Sequence, residues 1–293
     1  MMTAIGTSAP VAEPATSAVR RRSGRWAVWL SCAVLALVVI VVIGANVIAP
    51  FSPNKQDLDN ILLPAGGTHW FGTDDLGRDI FSRMIYGTRA SIVASGLAVV
   101  IAVVIGVPLG LAAGYLGGWV DAVIMRVVDA IMSFPAIVLA IAITASFGAG
   151  IATAMAAVGV VLAPAVLRLV RAQTMSVKNE TYVEAARSFG ASGLRRMILP
   201  HILPNTIQPV IVQIPILMGI ALIAEASLSF LQLGVQPPAS SWGTVLSRSY
   251  QFLNDAPLQI FIPGLAIAIT VFAFNIIGDE VQRILDPRRK TLR

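Results

Sequence analysis

From Trp26 to Ala49 the chain is almost pure Val, Ile, Leu and Ala. About 20 apolar residues in a helix cross the roughly 30 Å hydrocarbon layer of a bilayer, so this run is read as a membrane-spanning helix. Its apolar core is too long for the hydrophobic region of a signal peptide, and no small-residue cleavage site closes it, so a retained helix is expected. Five further runs follow: Ser91 to Ala113, Ile124 to Phe147, Ile151 to Val170, Asn205 to Leu231 and Leu258 to Ile277. Only Gly148 to Gly150 separates the third span from the fourth, which predicts a tight helical hairpin. The expected fold is all-α and polytopic, with about six transmembrane helices.

Composition agrees. Charged residues make up 12% of the chain, against about 25% in an ordinary soluble protein. With 56% hydrophobic residues and a mean hydropathy of +0.80, a soluble domain of this length lacks polar side chains to cover itself. The net charge of +6 does not point to nucleic acid, because the basic residues cluster between apolar runs and do not interleave with aromatics in a stripe. Placing the N-terminus inside leaves only Lys55, Arg78, Arg83, Arg89 and Arg248 of the 21 Lys and Arg outside. The positive-inside rule therefore puts both termini in the cytoplasm.

The sequence divides into a disordered N-terminal tail (1–25), a first helix with an external segment (26–90), a core transmembrane region (91–282) and a C-terminal tail (283–293). Within the external segment, Ile80 to Ile85 has helical character suited to the membrane surface. That segment and the second external one, Gln232 to Pro257, are both candidates to meet an external partner. No Gly-x-x-x-x-Gly-Lys-Ser/Thr loop occurs, so ATP binding through a P-loop is not expected. His69 and His201 fall on opposite sides of the membrane, no Cys/His cluster has metal-ligand spacing, and the one cysteine, Cys32, lies in an apolar run. Neither a catalytic site nor a bound metal or cofactor is expected on this chain.

The segment from about 171 to 204 reads as two short helices with a glycine between them. Thr181 and Glu184 have capping-box spacing, with Thr181 as N-cap. Tyr182, Ala186 and Phe189 recur at i, i+4 and i+7 as one apolar face, and Gly190 is suited to end the helix. Leu194, Met197 and Ile198 continue a second apolar stripe ahead of Pro200 and Pro204. Such a helix can lie on headgroups or insert into a groove on a partner protein. The small residues Ala185 and Ala186 favour close docking against protein.

Glu184-Ala185-Ala186, then Gly190, then Ile202-Leu203-Pro204, resembles the EAA loop of ABC importer permeases. Further stretches resemble the dipeptide, oligopeptide and nickel branch of that family. They are His69 to Asp74 with Leu76 to Asp79, Ala113 to Asp121 with Ser133-Phe134-Pro135, Ser227 to Leu231 with Gly234 to Pro238, and Asn275 to Arg288. The match covers about residues 25 to 290; Gln232 stands where the family usually has glycine. The resemblance implies a type I importer permease fold of the C-type subunit, forming half of a pore for di- or oligopeptides, with nickel or another small solute as the alternative cargo. It implies a second homologous permease, two ATP-binding subunits that use ATP and Mg, and an extracytoplasmic binding protein. It places the chain in the bacterial cytoplasmic membrane. It gives Thr181, Tyr182, Glu184, Ala185, Ala186, Phe189, Gly190, Ile202 and Pro204 the task of docking on the ATPase, while the residues alone leave Glu184 a cap for its own helix.

Ionisable groups inside spans are costly and therefore functional candidates. Arg126 and Asp129 are three apart on one helix face and suited to a local ion pair or gate contact. Glu225, in the outer half of the fifth span, faces either the path or a partner permease. Pro135, Pro164 and Pro215 are expected to kink their helices. A stand-alone secondary transporter is the rival reading, without the internal inverted repeats common in such folds.

Overall fold

The computed structural model describes residues 24–285; the two proposed tails fall largely outside the described residues. Helix α1 (Gly24–Ile48) is followed by a long irregular segment and by α2 (Ile80–Leu116). Then come α3 (Gly118–Met132), α4 (Ala136–Phe147), α5 (Ile151–Val177) and the short α6 (Thr181–Ser188). A π-helical stretch (Leu194–Ile202) runs into α7 (Leu203–Phe230), and α8 (Trp242–Gln251) precedes α9 (Phe261–Leu285). The expected all-α membrane architecture is present.

Among the described residues, five helices are long and apolar enough to cross a bilayer, and a sixth span exists only if α3 and α4 are counted together. The expected third span, Ile124 to Phe147, is not one helix, because α3 and α4 meet at 91°. The 12 residues of α4 rise only about 18 Å, well short of the hydrocarbon layer. Pro135 explains the break: it has no N–H to donate, and its ring collides with the carbonyl four residues back. Ser133 ends α3, its hydroxyl donating to the Ala130 carbonyl at 2.7 Å. Pro164 and Pro215, by contrast, are carried inside α5 and α7.

The second correction concerns Ile80 to Ile85. These residues are no separate surface helix but the first turns of α2, which runs unbroken for 37 residues. Asp79 caps it by accepting from the Ser82 N–H at 2.7 Å.

The most extensive helix pairing is α2 with α5. The two run parallel, and α2 offers a small residue every four positions: Ala94, Ala98, Ala102, Gly106, Gly110, Gly114. A Cβ on Gly106 would lie 2.9 Å from the Ala163 carbonyl, on Gly110 2.7 Å from that of Leu167, and on Gly114 2.8 Å from that of Arg171. In a bilayer apolar surface gains nothing by leaving lipid, so close backbone approach of this kind is what holds helices together. The α4–α5 hairpin forms as expected, with Gly148 at φ +98° and the Gly150 N–H donating to the Leu233 carbonyl.

At one end, the segment between α1 and α2 is tied down by ion pairs. Asp74 accepts from Arg78 at 2.8 Å, Asp75 pairs with Arg248 of α8 at 2.6 Å, and His69 meets Asp79 at 2.9 Å. The opposite end carries α6 and the π-helical stretch.

Candidate functional site

The segment between α5 and α7 is built on α5's own C-terminus. Lys178 closes α5 and reaches back to α2, its Nζ donating to the Gly114 carbonyl at 2.8 Å. Glu180 then takes an extended conformation as the N-cap of α6, without a side-chain capping bond. Thr181 is therefore the first helical residue, and the capping box with Glu184 does not form. The turn Lys178–Glu180, folded by the Glu180 N–H on the Val177 carbonyl, delivers the chain extended at Glu180, so the helix begins one residue before the expected start.

The buried face is also not the expected one. Val183 is fully buried, alongside Met197 and Ile202, and Ala186 packs against the same core. Phe189, expected on the apolar face, is instead 91% exposed. Tyr182 lies on the flank: its hydroxyl donates to the His201 carbonyl at 3.0 Å and accepts from the Asn205 amide at 2.6 Å. This one side chain joins α6 to the π-helical stretch and to the start of α7. Val183 was not among the candidate residues; its i, i+3 spacing with Ala186 was the available signal.

Gly190 ends α6 as expected. Its φ of +83° is readily adopted only without a side chain, and the Ala191 N–H then donates to the Ala186 carbonyl at 3.0 Å. The side chain of Leu194 lies outside the described residues, while Ile198 packs partly buried beside Met197. Pro204 sits where the π-helical stretch passes into α7 and, lacking an N–H, gives no bond to the preceding turn. The result is a short helix held from beneath by Val183. Thr181, Glu184, Ala185, Phe189 and Gly190 are turned outward, and the π-helical stretch beneath runs on into the 28-residue α7.

The membrane candidates are placed differently. Asp129 does not pair with Arg126; its partner is Arg168 of α5 at 2.6 Å. Two turns earlier, Asp121 accepts two hydrogen bonds from Arg171, at 2.5 and 2.6 Å. These two pairs pin α3 across the end of α5. Arg126 is exposed. Glu225 is fully buried within the chain and lines neither the groove between α2 and α5 nor the one between α4, α5 and α7.

Among the described residues, no group of three or more His, Cys, Asp or Glu could hold a metal ion. The described residues thus form a polytopic helical bundle with a short exposed helix on one end, joined through residues 189–193 and the π-helical stretch to a spanning helix.

Residues 106–291 match the family described as binding-protein-dependent transport system inner membrane component. Residues 14–65 match the N-terminal transmembrane domain of oligopeptide transport permease C. The chain belongs to this permease family. It is 46% identical over 255 residues to the glutathione transport system permease protein GsiD of Shigella flexneri serotype 5b, covering 87% of this chain and 84% of that protein. Against the protein of the same name from Escherichia coli O6:K15:H31 the identity is 44% over the same lengths. Inward-facing MetNI methionine ABC transporter shares the fold, with a TM-score of 0.55 at 17% identity over 69% of this chain and 95% of that one. An amino acid ABC transporter crystallised with histidines gives 0.51 at 19% identity, over 70% and 95%. The chain is thus the permease of an ABC importer, a multi-pass inner-membrane transport subunit and not an enzyme. Permeases of this class work with a partner permease, ATPase subunits and a binding protein.

Proposed function

We propose that this chain forms half of the translocation path for a peptide-like solute and that residues 171–204 couple it to ATP hydrolysis on partner subunits. The observation that carries the coupling is the seating of α6. Val183 and Tyr182 lock the helix to α7 from one side, leaving Glu184, Ala185 and Phe189 outward for another protein. A push on that surface reaches α7 through buried Val183 and through the Tyr182 bonds to His201 and Asn205, which bridge the turn at residues 189–193. ATP and Mg would be bound by two ATPase subunits, which face the α6 end. That end is then cytoplasmic, as are both termini, in keeping with the crowding of Lys and Arg there. The pore's other half is a second, homologous permease, and an extracytoplasmic binding protein delivers the solute to the opposite end.

The peptide-like cargo rests on the relatives, whose names specify glutathione, a tripeptide. The test of coupling is the double variant Glu184→Arg, Gly190→Val in the assembled transporter. Uptake is expected to vanish while the variant still inserts in the membrane at normal levels; normal uptake would refute the coupling role. The cargo is tested separately by the ligand retained on the cognate binding protein. A metal chelate there in place of a peptide would overturn the peptide assignment and leave the coupling untouched.

A further inference from the structure

Three serines from three parts of the chain surround the buried carboxyl of Glu225. Ser229, one turn further along α7, donates its hydroxyl to Glu225 Oε1 at 2.7 Å. Ser91 of α2 and Ser241, the N-cap of α8, face the same carboxyl. Glu225 Oε2 completes no hydrogen bond. All four residues are buried.

Each of these hydroxyls also accepts a backbone N–H from the segment that follows α7. Ser229 Oγ accepts from Val235 at 3.1 Å, Ser91 Oγ from Trp242 at 3.1 Å, and Ser241 Oγ from Thr244 at 3.2 Å. A hydroxyl whose oxygen is engaged by an N–H still has its single proton to give. Ser229 gives its proton to the Glu225 carboxyl, and Ser91 and Ser241 hold theirs beside the same group. The first amides of α8 add the positive end of its dipole on the same side. A buried carboxyl needs hydrogen-bond partners, and among the described residues Glu225 is offered hydroxyls and no cationic side chain.

The surrounding packing serves the same junction. A Cβ on Gly243 would lie 2.5 Å from the Ala226 carbonyl, so α8 rests directly on the α7 backbone. The Trp242 indole donates to the Met84 carbonyl at 3.3 Å, and Ser240 donates to that of Arg83 at 3.1 Å.

We infer that Glu225 is an anchoring residue. It does not line the path; its carboxyl clamps residues 234–249 onto α7 and α2 through Ser91, Ser229 and Ser241, so that this end of the bundle moves as one body. The inference is independent of coupling at α6.

Pulsed spin-label distances in the assembled transporter test it, in a Cys32→Ser background. One pair, Gln251→Cys with Ile220→Cys, spans α8 and α7; a second, Leu116→Cys with Ile151→Cys, spans α2 and α5 as a control. With Glu225 present both pairs give one narrow distance. Glu225→Gln presents three hydroxyl donors with an amide that accepts at one atom only, and the first distribution is expected to broaden roughly twofold while the control stays narrow. Glu225→Ala should do the same. An unchanged α8–α7 distance in both variants would overturn the inference. So would equal broadening of both pairs, since the carboxyl would then support the whole bundle and not this junction.

Discussion

Replacing Gly110 by alanine places one methyl group at the centre of the α2–α5 seam. The new Cβ would lie 2.7 Å from the Leu167 carbonyl oxygen and 2.7 Å from the Val170 Cβ, where ordinary contact begins at 3.4 Å, so the helices must part by roughly 0.7 Å there. A backbone carbonyl and a β-carbon cannot rotate away, and the shift is felt along the flanking contacts at Gly106 and Gly114. Overpacking of this kind costs about 1–3 kcal/mol, against which the better helix propensity of alanine returns at most about 1. Gly96 supplies the control, being on the same helix with nothing within 4 Å of its added Cβ. Unfolding of the purified protein in mixed micelles, titrated with a denaturing detergent, measures both variants. Gly110→Ala should lose about 1–2 kcal/mol and Gly96→Ala nothing or a slight gain. If the two variants agree within about 0.5 kcal/mol, close approach of α2 and α5 is not what holds the bundle.

Other substitutions probe the smaller parts. Asp121→Asn leaves Arg171 half-buried without its double acceptor and should cost about 1–2 kcal/mol in the same assay, with the charge-swapped pair Asp121→Arg, Arg171→Asp restoring part of it. Asp129→Asn removes a bond whose side chains are 57% and 44% exposed and should stay within about 0.5 kcal/mol of the parent. Val183→Ala empties the socket under α6 and should cost about 2 kcal/mol locally. Hydrogen exchange at residues 181–190 is then expected to quicken while that of α5 does not change. Tyr182→Phe loses the bonds to His201 and Asn205 and should loosen the same segment by about 1 kcal/mol, seen as a smaller effect on the same amides.

What the sequence made legible was whatever depends on long runs of one solvent preference. The α1 run and the apolar runs of α5, α7 and α9 appear where hydropathy put them, because lipid acts on each helix separately and asks only for length. Gly190 was legible too, since a positive φ narrows the choice of residue at a single position. The α2–α5 seam was written in the four-residue spacing of small residues from Ala94 to Gly114, a signal that hydropathy averages away. The break at Pro135 was half visible. A proline inside an apolar run announces a kink, but the same feature sits inside α5 and α7 without interrupting them.

Partner choice was the part that local spacing could not decide, and Asp129 shows why. Within α3, Arg126 precedes Asp129 by three residues, the order in which each charge opposes the helix dipole and the local pair is weak. Once α3 turns at 91° from α4 and lies across α5, Arg168 comes to 2.6 Å from Asp129 and offers a bond with no such penalty. Glu225 follows the same logic with the opposite outcome for its function. Read along α7 it is a lone charge in a span, and a lone charge in lipid suggests a path. Read in three dimensions it stands where α2, α7 and α8 converge, with a serine from each turned toward it. The polar residues that answer Glu225 lie up to 134 positions away in sequence, so only the folded chain could show that this acid is already engaged.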